Sequence, residues 1–70
     1  MRMTEAVERA LSARLYQLKV EHRDLDSAID ALAATVDPDQ LQIARLKKRK
    51  LLLKDEIKML EDQLVPDIIA

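Results

Sequence analysis

The sequence has no cysteine, no glycine, no phenylalanine and no tryptophan, and it has only one tyrosine and two prolines. Without cysteine the chain forms neither a disulfide framework nor a thiolate metal site. Without glycine it offers no loop of the kind that cradles phosphates. A β-sheet would need turn glycines and more aromatic side chains. These absences leave an all-α fold as the expectation.

The sequence also has no apolar run long enough to span a bilayer, and its first residues lack the apolar core of a signal peptide. We therefore expect a cytoplasmic protein without membrane contact. Seventy residues allow at most one small domain. The composition is 36% charged and 49% hydrophobic, which is typical of long solvated helices. The acidic residues outnumber the basic ones eight to five in residues 1–40, whereas the basic residues lead seven to five in residues 41–70.

Apolar residues in the first half of the chain recur at alternating spacings of four and three. This seven-residue repeat keeps one side of a helix against a partner helix. Thr4 is the predicted N-cap of this helix. Its predicted contact positions are Leu11, Leu15, Leu18, His22, Leu25, Ile29 and Leu32.

The middle of the chain is predicted to turn and to start a second helix. Pro38 suits the first helical position and disfavours the α conformation at Asp37. Asp37 is therefore the predicted N-cap, with Gln40 completing a capping box. Val36 and Leu41 have the spacing of a hydrophobic staple across this cap.

The second helix has the same spacing of contact positions, and Pro66 is predicted to end it. These positions are Ile43, Leu46, Lys50, Leu53, Ile57, Leu60 and Leu64. We call the contact positions of both helices the seam. The sequence thus predicts one antiparallel, coiled-coil-like hairpin. It has a helix over about residues 4–34, a turn over 35–37, a helix over about 38–64 and a tail over 65–70.

The two rows of the seam match around the turn without an insertion. Leu32 faces Ile43 at the turn, and the pairing continues to Leu11 opposite Leu64. Lys50 is expected to pack its stem in the seam while its amine reaches water or a carboxylate. The same register predicts three neighbours across the seam: Arg14 with Glu56, Glu21 with Arg49, and Asp26 with Lys54.

Apolar residues also lie off the seam. A lone pair of helices this short rarely has enough core to be stable. We therefore expect a docking face for another copy or for another protein, with a dimer forming a four-helix bundle as the favoured assembly. Scattered exposed apolar residues are the simpler interpretation. The candidate oligomer face consists of Tyr16, Val20, Leu51, Leu52 and Met59.

His22 is the only histidine. With Asp26 one turn further on, it resembles half of a metal site or an acid–base pair. A single histidine without cysteine leaves a zinc site short of its usual ligands. We expect a half-buried histidine hydrogen-bonded to Asp26 or across the seam. Neither a metal, nor a cofactor, nor a catalytic residue is predicted.

A run of basic residues occupies the second helix. It suggests an alternative function as an anion or nucleic-acid binder. Helical geometry spreads these charges around more than half of the circumference, no aromatic residue is interleaved, and the pI of about 5.7 is acidic. A solvated face is therefore the favoured interpretation, and nucleic acid is not an expected partner. The candidate anion-binding residues are Arg45, Lys47, Lys48, Arg49 and Lys54.

Two blocks of the chain have a recognisable pattern. The first block is His22-Arg23-x-Leu25-Asp26-x-x-Ile29. The second, more specific block is Leu46-Lys47-Lys48-x-Lys50-Leu51-x-Leu53-Lys54-Asp55-Glu56-Ile57. Together they resemble the YdcH-like family of small bacterial proteins of unknown function. The resemblance implies a bacterial, cytoplasmic helical hairpin and brings no activity or cofactor. The expected function is a structural or protein-interaction module without catalytic activity.

Overall fold

The computed structural model describes residues 4–64, which form two α-helices packed against each other as an antiparallel hairpin. Helix α1 spans Glu5–Ala33 and helix α2 spans Gln40–Leu64. No strand is present in this range. The prediction of an all-α hairpin is confirmed. The predicted tail, with the helix stop at Pro66, lies outside the described residues.

Helix α1 has the predicted N-terminus. The Thr4 hydroxyl accepts a hydrogen bond from the Val7 amide at 3.2 Å, and the Thr4 carbonyl accepts one from the Glu8 amide at 2.9 Å. The other end of α1 has no glycine to close it. Instead, the Thr35 hydroxyl donates a hydrogen bond to the Leu32 carbonyl at 2.8 Å. This bond satisfies one of the carbonyls that every helix leaves without a partner at its C-terminus.

Helix α2 begins two residues later than predicted, and its N-cap is Asp39 rather than Asp37. The Asp39 carboxylate accepts a hydrogen bond from the Gln42 amide at 3.0 Å, and its carbonyl accepts one from the Ile43 amide at 3.0 Å. Pro38 consequently precedes the cap instead of occupying the first helical position. The predicted boundaries of the turn and of α2 are wrong by this shift.

The local sequence allows both starts. Asp39 has Gln42 three residues later, just as Asp37 has Gln40, so each aspartate heads a capping-box pattern. The predicted staple is absent, because Val36 and Leu41 are both exposed. Pro38 is half-buried and Ile43 is buried, and these two residues stand at the staple positions of a helix capped by Asp39. The burial of Pro38 and Ile43 therefore favours a start of α2 after Asp39.

The seam is formed as predicted. Every seam position of both helices is buried or half-buried, including the polar residues His22 and Lys50. The fully buried centre is small, since among the described residues only four side chains belong to it. They are Leu18, Ile29, Ile43 and Leu53.

Candidate functional site

Three exposed ion pairs join the helices across the seam. Arg14 contacts Glu56 at 3.3 Å, and Arg49 contacts Glu21 at 3.1 Å. Both pairs were predicted from the register and are confirmed. Lys19 contacts Glu61 at 3.1 Å. Exposed pairs of this kind each contribute only about 0–1 kcal/mol to stability.

A fourth cross-helix contact lies closer to the seam. The Lys50 amine donates a hydrogen bond to an Asp26 carboxylate oxygen at 2.5 Å. This confirms the expectation that Lys50 reaches a carboxylate, and it gives Asp26 an ion pair with Lys50 rather than with its predicted neighbour Lys54. Lys50 has the advantage because its seam position already points toward α1. The hydrogen bond from Lys50 lowers the pKa of Asp26 below its ordinary value of 3.8, aided by the charges of Lys50 and His22.

His22 does not make the hydrogen bond to Asp26 that the sequence suggested. Its Nδ1 atom lies 3.9 Å from the nearer Asp26 oxygen, which is too long for such a bond. The ring is half-buried in the seam. Residues 4–64 contain no group of three or more His, Cys, Asp or Glu side chains arranged to hold a metal ion.

The adjacent residues Leu51 and Leu52 face different sides of α2, because successive helical residues are about 100° apart. Leu52 continues a row at spacings of three and four that we call the Met59 flank: Arg49, Leu52, Glu56 and Met59. Two residues of this flank form ion pairs with α1: Glu56 with Arg14, and Arg49 with Glu21. Leu51 starts a second row on the other side, which continues through Lys54, Lys58 and Glu61.

The second row lines an open groove of about 810 Å³, which we call the lysine groove. Four lysines belong to it, two of them already engaged in the pairs with Glu61 and Asp26. Lys58 was not among the predicted site residues. The spacing of Leu51, Lys54 and Lys58 was a signal that could have placed it on this side of α2. The groove is lined by Lys19, His22, Lys50, Leu51, Lys54, Asp55, Ile57, Lys58 and Glu61.

The five residues of the predicted oligomer face do not form a single face. Leu52 and Met59 share the Met59 flank, whereas Leu51 lines the lysine groove. Tyr16 is exposed and lies two residues, or about 200°, from the buried Leu18, which puts it on the side of α1 away from α2. Val20 is half-buried.

The five predicted anion-binding residues are likewise divided. Arg49 is paired with Glu21, and Lys54 lines the lysine groove. Lys47 lies seven residues before Lys54 and therefore on the same side of α2. Arg45 and Lys48 are exposed and precede Leu52 by seven and four residues, which puts them on the side of the Met59 flank. Anion or nucleic-acid binding by this set stays a prediction.

Neither helix in residues 4–64 contains a stretch long and apolar enough to cross a membrane.

No curated protein and no solved structure matches the chain. The model of the family described as "Protein of unknown function (DUF465)" matches residues 15–61, which is well over half of the chain. The match agrees with the YdcH-like resemblance and spans most of the seam and the lysine groove. The chain therefore belongs to this family of proteins of unknown function.

Proposed function

We propose that this chain is a structural or protein-interaction module without catalytic activity, which self-associates through the Met59 flank. The proposed assembly is a dimer in which two hairpins form a four-helix bundle. A cytoplasmic location, expected from the sequence, is part of this proposal.

The exposure of Leu52 and Met59 is the observation that supports the proposal most. Their exposed fractions are 54% and 61%, although they lie on one face of the same helix. The hairpin alone buries only the narrow centre of its seam. Chains of this size usually gain further stability by association, metal binding or disulfides. The chain has no cysteine, so disulfides do not supply this stability. Burial of the Met59 flank against a second copy would supply it as additional apolar contact.

Sedimentation equilibrium at micromolar concentrations tests the proposal. We expect the wild-type chain to be a dimer and the double variant Leu52→Glu/Met59→Glu to be a monomer, because two carboxylates on the flank oppose their burial in an interface. The melting temperature of the wild type should also rise with concentration.

Leu51→Glu is the matched control, since Leu51 is 60% exposed and adjacent to Leu52 but faces the other side. This variant should remain dimeric. A wild type that is monomeric and fully helical by circular dichroism would contradict self-association. Equal dissociation of Leu51→Glu would contradict the assignment of the interface to the Met59 flank.

A further inference from the structure

We propose that the lysine groove binds an acidic, amphipathic helical segment of another protein. The groove and the Met59 flank lie on different sides of α2 and share no residue. The proposal therefore does not depend on self-association. It rests on the charge, the apolar floor and the shape of the groove.

The charge of the groove is not neutralised within the hairpin. Lys19 and Lys50 are held by carboxylates of the chain. Within residues 4–64, no carboxylate lies within 4.0 Å of the amines of Lys54 and Lys58. These two lysines are four residues apart on one helix face, a spacing at which like charges repel. An anionic partner relieves that repulsion, and Asp55 is the one further acidic residue in the lining.

The floor of the groove is apolar, which separates an acidic peptide from a bare anion. Leu51 is largely exposed and Ile57 is half-buried, and both line the groove between the lysine side chains. Lysine stems add further apolar surface beneath their charged ends. A phosphate or a nucleic-acid backbone would contact the amines but would leave Leu51 in water. An amphipathic acidic segment contacts both parts of the groove, because its apolar row covers the floor while its carboxylates meet the lysine amines.

The shape of the groove suits a helix. Its lining residues on α2 run from Lys50 to Glu61, a length of about 16 Å at 1.5 Å per residue. That corresponds to about three helical turns. A helix laid along a groove between two helices is a common mode of peptide recognition, with apolar anchors at spacings of three and four.

Fluorescence anisotropy with a labelled synthetic peptide tests this inference on the full chain. The peptide has leucine at positions i, i+3, i+4 and i+7 and glutamate on the flanking faces. We expect saturable binding that weakens with ionic strength. Lys54→Glu and Lys58→Glu should each weaken it about tenfold or more, as for the loss of a charge-assisted hydrogen bond. In NMR spectra, the peptide should shift the amide signals of Leu51 and Lys58.

Lys48→Glu is the matched control, because Lys48 is an exposed lysine of α2 outside the groove and the change in charge is the same. It should bind as the wild type does. Four results would each overturn the inference: no binding of the peptide, equal binding of a scrambled peptide of identical composition, equal binding of oligo(dT), or equal loss in Lys48→Glu. Groove signals that shift with chain concentration alone would also overturn it, since a second copy would then occupy the groove.

Discussion

At the scale of the single residue, the turn contains two aspartates with the same chemistry and the same sequence context. Asp39 accepts the Gln42 amide, whereas Asp37 is exposed and makes none of the hydrogen bonds at the start of α2. A cap is effective only where the backbone begins to coil, so the two side chains differ in energy although they are chemically identical.

Asp39→Ala should therefore lower the free energy of unfolding by about 1 kcal/mol, because an orphan amide loses its acceptor. For a domain of this size, that corresponds to a melting temperature lower by about 4–8 °C. Asp37→Ala removes the same charge two residues earlier and should melt close to the wild type. Thermal denaturation followed by circular dichroism measures both. If Asp37→Ala were the more damaging change, α2 would begin at the earlier residue.

At the scale of the element, each helix is held mainly by its row of seam residues. Two leucines of α2 differ greatly in burial. Leu53 is fully buried against α1, whereas Leu41 is 62% exposed. Both are leucines of α2, so helix propensity cancels when they are compared. The hairpin thus contains its own control for what burial contributes.

Leu53→Ala should lower the free energy of unfolding by about 2–5 kcal/mol, through lost apolar burial and the cavity that remains. Leu41→Ala should change the stability by less than about 0.5 kcal/mol. Urea titrations of both variants make the comparison. Similar midpoints would contradict the assignment of Leu53 to the core.

At the scale of the whole molecule, the hairpin joins a more acidic α1 to a more basic α2, and the charges meet along both edges of the seam. On one edge, Arg14 pairs with Glu56 and Glu21 pairs with Arg49. On the other edge, Lys19 pairs with Glu61 and Asp26 pairs with Lys50. Asp26 has a lowered pKa because its carboxylate accepts a hydrogen bond from Lys50. The folded protein therefore binds a proton at Asp26 less readily than the unfolded chain does.

This difference predicts the pH dependence of stability. The contribution of Asp26 is fully present above its ordinary pKa of 3.8 and is lost as the pH falls through the lower, folded value. Asp26→Asn should accordingly lose less stability than the wild type when the pH falls through this window. Asp30→Asn, on the same helix but without an ion pair in residues 4–64, is the control. Urea denaturation at a series of acidic pH values measures the effect, and parallel curves for wild type and Asp26→Asn would contradict it.

Much of the architecture followed from local and periodic properties of the sequence. The Thr4 cap, the two helices and every seam position follow from helix propensity and from apolar spacing, which are repeated many times along the chain. The pairs of Arg14 with Glu56 and Glu21 with Arg49 followed as well, because an uninterrupted seam allows only one simple register. These features do not depend on any single contact.

The tertiary structure decided what the local rules left equivalent. Asp37 and Asp39 each satisfied the capping pattern, and the burial of Pro38 and Ile43 accompanies the start at Asp39. Lys50 and Lys54 each lay within reach of Asp26, and the seam brings the Lys50 amine to its carboxylate. In each instance the choice depended on where the second helix packs, which no pattern within one helix encodes.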